Sequence, residues 1–317
     1  MIPDRTTIEE AAARIAPYIH RTPVLTCNAL NRMFGGELFF KCENFQKAGA
    51  FKSRGATNAI FLLSDEEIRR GVTTHSSGNH AAALALAASR RSAEAHIVMP
   101  ENSNRVKIRA VESYGGRITV CKPTLEAREE TLKKVVRQTG AIEIHPYNDY
   151  RIIAGQATAA KELIEQTDGL DQIIAPVGGG GLLSGTALAA RYFGENIRVF
   201  AAEPAGADDA YRSFKSKTFV PSVNPQTIAD GLRTSLGSLT CPIVLQYVDD
   251  IVTVSERSIV EAMRLIWERM KIIVETSSAV PLAAILENKI PVKGTRTGII
   301  LSGGNADLDN LPFKAEL

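Results

Sequence analysis

Short apolar segments alternate along the chain with longer segments in which apolar residues recur every three or four positions. The short segments have the length and aliphatic content of buried strands, and the longer ones indicate helices with one apolar face. The predicted strands are residues 38–42, 71–75, 95–100, 117–121, 172–177, 199–203, 251–254 and 297–301. Strands that alternate with helices of about ten to fifteen residues are typical of parallel α/β proteins, so we expect that class of fold.

Turns rich in small and polar residues follow several of these strands. They are residues 48–52, 76–80, 178–181 and 302–305. Ligands of open α/β sheets bind beyond the carboxyl ends of the strands. The recurrence of such turns therefore predicts one shared ligand site at that edge.

Lys52 lies where the first of these turns becomes a helix. A cation is poorly placed there, because the helix dipole is positive at its N-terminal end. An amine that is neutral or covalently bound loses this penalty, and a lowered pKa is what an amine nucleophile needs. Lys52 is therefore a candidate nucleophile; the alternative is an ordinary surface lysine beside a turn.

Four consecutive glycines, residues 178–181, separate a buried strand from a helix. Glycine lets the backbone approach a ligand, and a helix N-terminus offers unpaired N–H groups and positive potential to a phosphate. No Gly-Lys-Ser/Thr follows, so this is not a Walker loop. Glu203 ends the next strand about 20 residues on, as in dinucleotide-binding units. A nicotinamide enzyme therefore remains an alternative, as does a glycine turn without a ligand.

The turn Ser76-Ser77-Gly78-Asn79-His80 has short polar side chains at a second strand-to-helix junction. Such a turn can hold a carboxylate through its free N–H groups. The alternative is a helix N-cap next to a histidine that is satisfied within the core.

Composition narrows the classes of protein. The chain has 317 residues, enough for about two domains, with 44% apolar and 23% charged residues and a net charge of +2. A net charge this small gives no electrostatic reason to expect binding to nucleic acid or to an anionic membrane. The four cysteines lack CxxC spacing, and no apolar run approaches the ~20 residues of a membrane span. We expect a cytoplasmic enzyme or binding protein whose partner is a small molecule.

In combination and in order, the lysine segment, the Ser-Ser-Gly-Asn-His turn, the four glycines and Ser302-Gly-Gly-Asn resemble the fold type II enzymes of pyridoxal phosphate (PLP). More narrowly, they resemble the family of serine racemases and serine/threonine dehydratases, including its hydroxyaspartate dehydratase branch. The resemblance extends from Pro17 to about Leu311. It implies a homodimer of chains with two interleaved open α/β domains, as in the tryptophan synthase β subunit. Residues 1–71 and 148–317 would form a large PLP-binding domain, and residues 72–147 a small mobile substrate domain.

The resemblance also implies roles for individual residues. Lys52 would bind the cofactor aldehyde and then move the substrate α-proton. The other implied cofactor-binding residues are Phe51 beside the pyridine ring, Asn79 at the ring hydroxyl, Gly178, Gly179, Gly180, Gly181 and Leu182 at the phosphate, and Ser302 at the ring nitrogen. The substrate would be held by Ser76, Ser77, Asn79 and His80, with Arg128 reaching it from the small domain.

Glu203, Ala207 and Asp209 match the divalent-cation site of the family. Carboxylates and a backbone carbonyl are hard oxygen ligands, which suit magnesium, calcium or manganese. Apart from the resemblance, Asp208 and Asp209 predict only the start of a helix. The family's ATP-activation site is less well matched, because Ala48, Ala81 and Ala82 differ while Tyr114, Lys271 and Asn305 agree.

The residue at the ring nitrogen bears on the reaction. A hydroxyl such as that of Ser302 leaves the ring a weaker electron sink than a carboxylate would, which favours loss of a β-hydroxyl over transamination. The resemblance thus implies a dehydratase, or ammonia-lyase, acting on serine, threonine or 3-hydroxyaspartate. Ser77, on the opposite face of the substrate, would permit racemisation as a second acid/base. A non-catalytic amino-acid sensor is the alternative from another class.

Overall fold

The computed structural model describes residues 1–76 and 78–313, without the side chain of Leu125. The helices are α1 (Arg5–Ile15), α2 (Asn28–Phe34), α3 (Lys52–Phe61), α4 (Asp65–Arg69), α5 (Asn79–Ser89), α6 (Arg105–Ser113), α7 (Leu125–Thr139), α8 (Tyr150–Glu165), α9 (Gly181–Phe193), α10 (Asp209–Ser216), α11 (Thr240–Tyr247), α12 (Glu256–Leu265) and α13 (Thr276–Leu286). The strands are β1 (Val24–Thr26), β2 (Glu37–Cys42), β3 (Val72–His75), β4 (Ala95–Pro100), β5 (Arg117–Cys121), β6 (Ile142–Glu143), β7 (Gln172–Pro176), β8 (Arg198–Pro204), β9 (Asp250–Val254) and β10 (Arg296–Leu301).

The strands form two sheets that are interleaved along the chain. A six-stranded sheet has the order β1-β2-β10-β7-β8-β9, and a four-stranded sheet has the order β5-β4-β3-β6. All pairings are parallel except that of β1 with β2. The chain leaves the larger sheet after β2, builds the smaller one and returns at β7. The predicted class, two interleaved α/β units, is therefore confirmed.

Apolar side chains cover both faces of the six-stranded sheet. Along β7, Ile173 and Ala175 join the core under α8 and α9, whereas Ile174 joins the core under α12 and α13. Successive side chains of a strand point to opposite faces, so a strand covered on both sides is apolar throughout. Within residues 1–76 and 78–313, no helix is long and apolar enough to cross a membrane.

Glycines bring three helices of the larger unit into close contact. A Cβ atom added to Gly155 of α8 would lie 2.6 Å from the Cα of Gly55 in α3. One added to Gly185 of α9 would lie 2.6 Å from the backbone nitrogen of Ala157 in α8. Real Cβ atoms do not approach so closely, so α8 can pack against both neighbours only because these positions lack side chains. This packing fixes the starts of α3 and α9, which are Lys52 and Gly181.

Candidate active site

A cavity between the two sheets is lined by nearly all the residues that the sequence predicted for the site. The predicted residues in its lining are Phe51, Lys52, Ser76, Asn79, His80, Arg128, Gly178, Gly179, Gly180, Gly181, Leu182 and Ser302. Ser77, the predicted second acid/base, lies outside the described residues. The structure brings these residues together, while the individual role of each stays a prediction.

Lys52 is the first residue of α3, and its amine is held at the cavity wall. Its Nζ donates a hydrogen bond to the carbonyl oxygen of Pro146 at 2.8 Å and lies 5.1 Å from the centroid of the Phe51 ring. Burial lowers the pKa of Lys52 to about 8. Roughly one amine in ten is then neutral at pH 7, against fewer than one in a thousand at an ordinary lysine pKa. Lys52 is therefore suited to react as a nucleophile near neutral pH.

The four glycines leave no room for side chains. A Cβ atom on Gly179 would lie 2.3 Å from the ring of Tyr147, and one on Gly178 would lie 2.9 Å from the Cα of Leu232. Gly180 has a φ of 84° and is the N-cap of α9. The first backbone N–H groups of a helix have no partner within it. Bare backbone beside these N–H groups at the cavity is a cradle suited to a phosphate.

The final turn is hydrogen-bonded to the turn that precedes Lys52. The backbone N–H of Phe51 donates to the carbonyl of Ser302 at 3.0 Å, and that of Gly304 donates to Gly49 at 2.9 Å. The buried Ser302 hydroxyl lies 3.4 Å from that of Ser278. These contacts place the Ser302 hydroxyl and the Lys52 amine in the wall of the same cavity.

Asn79 is hydrogen-bonded to a group of charged residues that the sequence analysis did not identify. Its side-chain amide donates to Glu275 at 2.6 Å and accepts from Asn305 at 3.0 Å. Lys107 lies 2.6 Å from Asp230 and 3.8 Å from Glu275. Burial, followed by the charge of Asp230, raises the pKa of Glu275 despite the opposing effect of Lys107. Lys107, on α6, thus links the segment that carries the smaller sheet to two carboxylates beside the larger one.

Two histidines in the cavity wall, His75 and His80, have lowered pKa values. His80 Nε2 donates to the carbonyl oxygen of Ile144 at 3.2 Å, so its Nδ1 carries a lone pair. Burial, with the nearby charge of Lys52, lowers the pKa of His80 well below its usual value. Burial and the charge of Arg128 lower that of His75. Within the described residues, Nδ1 of each histidine is buried without a hydrogen-bond partner.

Arg128 faces the same cavity as an uncompensated cation. It is half-buried in α7, and its Nε has no hydrogen-bond partner among the described residues. No carboxylate in residues 1–76 and 78–313 forms an ion pair with it. Burial, followed by the charge of Arg233, lowers its pKa, but a guanidinium stays protonated in proteins. A charged side chain with unused donors at a cavity is what binding of an anion requires.

The predicted cation ligands are grouped at the end of β8. Glu203 is the residue before the last one of this strand, Ala207 is in the following turn and Asp209 begins α10; all are buried. The Glu203 carboxylate accepts the N–H groups of Ala210 and Tyr211, whereas both Asp209 oxygens lack partners among the described residues. Burial and the charge of Asp209 raise the pKa of Glu203 well above its usual value, and burial raises that of Asp209 to about 6.

This donor set fits a divalent cation, because the charge of Asp209 acts on the buried Glu203 carboxylate and both Asp209 oxygens lack hydrogen-bond partners among the described residues. Within the described residues there is no group of three or more His, Cys, Asp or Glu side chains placed to hold a metal. A cation here would therefore need further oxygen ligands, such as the Ala207 carbonyl and water.

Comparisons with known proteins agree with the cavity's chemistry. The sequence profile of the family described as "Pyridoxal-phosphate dependent enzyme" matches residues 15–303. This chain belongs to that family. A nicotinamide enzyme, the alternative suggested by Glu203, is thereby excluded.

Two curated members of the family resemble the chain over almost its whole length. A beta-hydroxyaspartate dehydratase of Paracoccus denitrificans is 52% identical and covers 98% of this chain and 99% of its own. A serine racemase of Dictyostelium discoideum is 52% identical, with 96% and 95% covered. The solved structure of maize serine racemase superposes with a TM-score of 0.95 at 49% identity, covering 98% of this chain and 95% of its own. The fold type II architecture is thus confirmed.

The residues present fit PLP. Lys52 offers an amine with a lowered pKa, as formation of an imine requires. Gly179 and Gly180 provide bare backbone at a helix start, where a phosphate binds. Ser302 supplies a buried hydroxyl in the same wall. One ligand can therefore bond covalently to the Lys52 amine, place a phosphate at the glycine backbone and meet the Ser302 hydroxyl.

Proposed function

We propose that this protein is a PLP-dependent dehydratase that removes water from a small 3-hydroxy amino acid and releases a 2-keto acid and ammonia. The observation that carries the proposal is that the amine of Lys52 and the uncompensated guanidinium of Arg128 line one cavity. Reaction of an α-amino acid requires a base that can accept a proton near pH 7, and the Lys52 amine is such a base. Binding of the amino acid requires a cation for a carboxylate, and Arg128 is a cation without an anionic partner among the described residues. An amino-acid sensor would need the cation but not the amine.

When bound, PLP supplies the electron sink. Lys52 would hold the cofactor and afterwards accept the α-proton, which its lowered pKa favours. The backbone of Gly178, Gly179, Gly180, Gly181 and Leu182 would bind the phosphate. Ser302 would place a hydroxyl, not a carboxylate, at the ring nitrogen, and this weaker partner favours elimination over transamination. Phe51 would lie beside the pyridine ring, and Asn79 would bond the ring hydroxyl.

We propose 3-hydroxyaspartate as the first candidate substrate, ahead of serine and threonine. Ser76, Ser77, Asn79 and His80 would hold the α-carboxylate, which leaves Arg128 to bind a second one. The second carboxylate of a dicarboxylic substrate would give Arg128 an anionic partner, which it does not have among the described residues. The name of the Paracoccus relative supports the same substrate class.

Racemisation is the second candidate activity, favoured by the names of the Dictyostelium and maize relatives. Inversion needs a proton donor on the face opposite Lys52, and we assign that role to Ser77. A Ser77→Ala variant should lose racemisation and keep elimination from the L-isomer. An equal loss of both activities would contradict the two-face assignment.

Three further features belong to the proposal. A divalent cation would bind Glu203, Ala207 and Asp209; the burial of both carboxylates and the Asp209 oxygens that lack hydrogen-bond partners in the described part of the chain support this. Residues 72–147 would form a small domain that moves against the remainder. The enzyme would be cytoplasmic, and its four buried free cysteines fit a reducing compartment. It would also be a homodimer, which sedimentation tests by measuring its mass in solution.

A substrate panel tests the proposed reaction. The enzyme loaded with PLP is given L-serine, L-threonine and the stereoisomers of 3-hydroxyaspartate, and ammonia and chiral products are measured. We expect the highest kcat/KM with a hydroxyaspartate isomer and no ammonia from Lys52→Ala. Equal or better turnover of threonine would displace hydroxyaspartate, and binding without release of ammonia would indicate a sensor.

A further inference from the structure

Behind the cavity, Arg54 is fully buried and uses every donor of its guanidinium in a network that is exposed only at Glu162. Its Nε donates to Glu43 at 2.7 Å, and its Nη2 donates to Glu43 and to Glu162, each at 2.8 Å. Its Nη1 donates to Glu162 at 2.8 Å and to the hydroxyl of Thr158 at 3.1 Å. A guanidinium has five N–H donors, so none is left over. Neither Arg54 nor Glu43 has any exposed side-chain surface.

Lys41 completes the network with a second buried cation. Its Nζ donates to Glu162 at 2.6 Å, to the carbonyl of Thr22 at 2.8 Å and to Gln166 at 2.8 Å. The network therefore balances two cations with two carboxylates and satisfies each cation's hydrogens. Buried ion pairs contribute little net stability compared with apolar side chains of similar size. A set that is so completely satisfied instead indicates a requirement for one defined geometry.

The network closes the segment that carries Lys52. Glu43 precedes this segment, and Arg54 stands two residues after Lys52 on the same helix. The pair of bonds between Glu43 and Arg54 thus joins the two ends of the turn. Within it, Ala48 and Gly49 have φ values of 53° and 69°, a conformation that a non-glycine residue such as Ala48 adopts only when its surroundings impose it.

The same network joins this segment to α8. Thr158 and Glu162 lie on α8, and the chain just before this helix contains Pro146, whose carbonyl accepts the hydrogen bond from Lys52. Arg54 therefore fixes the helix that begins with Lys52 relative to the element that supplies the partner of its amine.

We propose that Arg54 is a positioning residue which, through Glu43 and Glu162, holds Lys52 against Pro146 and away from water. This inference rests on the role proposed for Lys52. If the network loosens, α3 can shift, and the amine can exchange its contact with Pro146 for water. The neutral, reactive form of Lys52 then becomes rarer at pH 7, because burial no longer disfavours the charged form.

The reactivity of Lys52 in the cofactor-free protein tests the inference. Trace acetylation by acetic anhydride, located by mass spectrometry, gives the rate and the apparent pKa of this amine as the pH is varied. Arg54→Lys keeps the charge and loses the planar fork, so the pKa of Lys52 should rise by at least about one unit. Acetylation at pH 7 should then slow at least about tenfold.

Gln172→Met is the matched control. Gln172 is fully buried in the same larger unit and bonds Pro291 and Thr297, but it has no contact with the segment that carries Lys52. It should lower the melting temperature and leave Lys52 acetylation within about twofold. If Arg54→Lys does not fold, Glu43→Gln, which keeps the shape of the side chain, takes its place.

Two outcomes overturn the inference. One is a folded Arg54→Lys or Glu43→Gln protein with the wild-type pKa and rate at Lys52. The other is an equal slowing in Gln172→Met at the same loss of melting temperature, which would show a general effect of destabilisation. Because no cofactor is present, failure here leaves the proposed function standing. That function fails separately if PLP does not attach to Lys52.

Discussion

The two walls of the cavity differ in how completely their polar groups are satisfied. On the side of the larger sheet, Lys52 bonds Pro146, Ser302 lies within reach of Ser278, and the glycines pack closely against their neighbours. One Glu275 oxygen lacks a hydrogen bond among the described residues, but it lies 3.8 Å from the charge of Lys107. On the side of the smaller sheet, nitrogens of His75, His80 and Arg128 are buried without partners in the described part of the chain.

The difference in hydrogen bonding indicates that the first wall is preformed, whereas the second has polar groups that a ligand can bond. A group that is already satisfied can hold a resident cofactor in one orientation without reorganisation. A buried polar atom without a partner is costly, and a ligand that supplies the missing bond recovers that cost on binding. We therefore propose that the first wall holds PLP and that the second binds an exchangeable anionic substrate. The predictions below change one wall at a time.

The largest effect is expected at the cofactor wall. In Gly179→Ala the new methyl group would meet the Tyr147 ring at 2.3 Å and also occupy space at the backbone cradle. We expect the dissociation constant of PLP, measured by absorbance titration, to rise at least about a hundredfold, which is the loss of one or two hydrogen bonds to a charged group.

The double variant Gly179→Ala/Tyr147→Ala separates the two causes. It removes the clash with the ring but keeps the methyl group at the cradle, so cofactor binding should stay weak. Full recovery of PLP affinity would show that the four glycines serve only to accommodate Tyr147.

The substrate wall should give a smaller and more selective effect. Arg128→Met removes the uncompensated cation, so kcat/KM for 3-hydroxyaspartate should fall about tenfold to a hundredfold, as expected for a charged hydrogen bond. The fall for L-serine, which has one carboxylate, should be smaller, and PLP affinity should not change. Arg137→Met, at an exposed position on the same helix, is the control. Equal losses for both substrates would remove Arg128 from recognition of a second carboxylate.

The smallest effect concerns the carboxylates of Glu203 and Asp209, away from both walls. The folded-state pKa of Asp209, about 6, exceeds the ordinary value of ~3.9. Without metal, its contribution to stability is complete below about pH 4 and is lost as the pH rises through about 6. A cation needs both groups ionised, so added magnesium should raise the melting temperature by at least about 2 °C at pH 8 and little at pH 5.

Asp209→Asn should abolish the response to magnesium, and Asp208→Asn, at its half-buried neighbour, should keep it. A chelator that changes neither activity nor melting temperature would leave these residues without a metal.

Part of the site is visible in the local sequence, whereas the roles of Arg128, Ser302 and Asp209 were implied only by the family resemblance. Lys52 at a helix start and four glycines after an apolar strand each indicate a ligand through their immediate neighbours in the chain. The same periodicity predicted the α/β class, but not α11, in which Pro242 and the β-branched Ile243 and Val244 have low helix propensity.

Residues whose role depends on distant partners were missed. Lys107 is buried and bonds Asp230, 123 positions away, and the sequence analysis singled out neither residue. Arg54 bonds Glu162 across 108 positions, and nothing near either residue in the sequence indicates burial. Long-range charge pairing leaves no periodic signal, so only the folded chain reveals it.

The covalent state of Lys52 tests the central claim most directly. Purified protein is supplied with PLP, its visible spectrum is recorded, and it is then reduced with borohydride and mapped by mass spectrometry. We predict an absorbance band near the blue end of the spectrum and one cofactor per chain fixed to Lys52, both absent in Lys52→Ala. A colourless protein, or label attached to another lysine, would contradict the account.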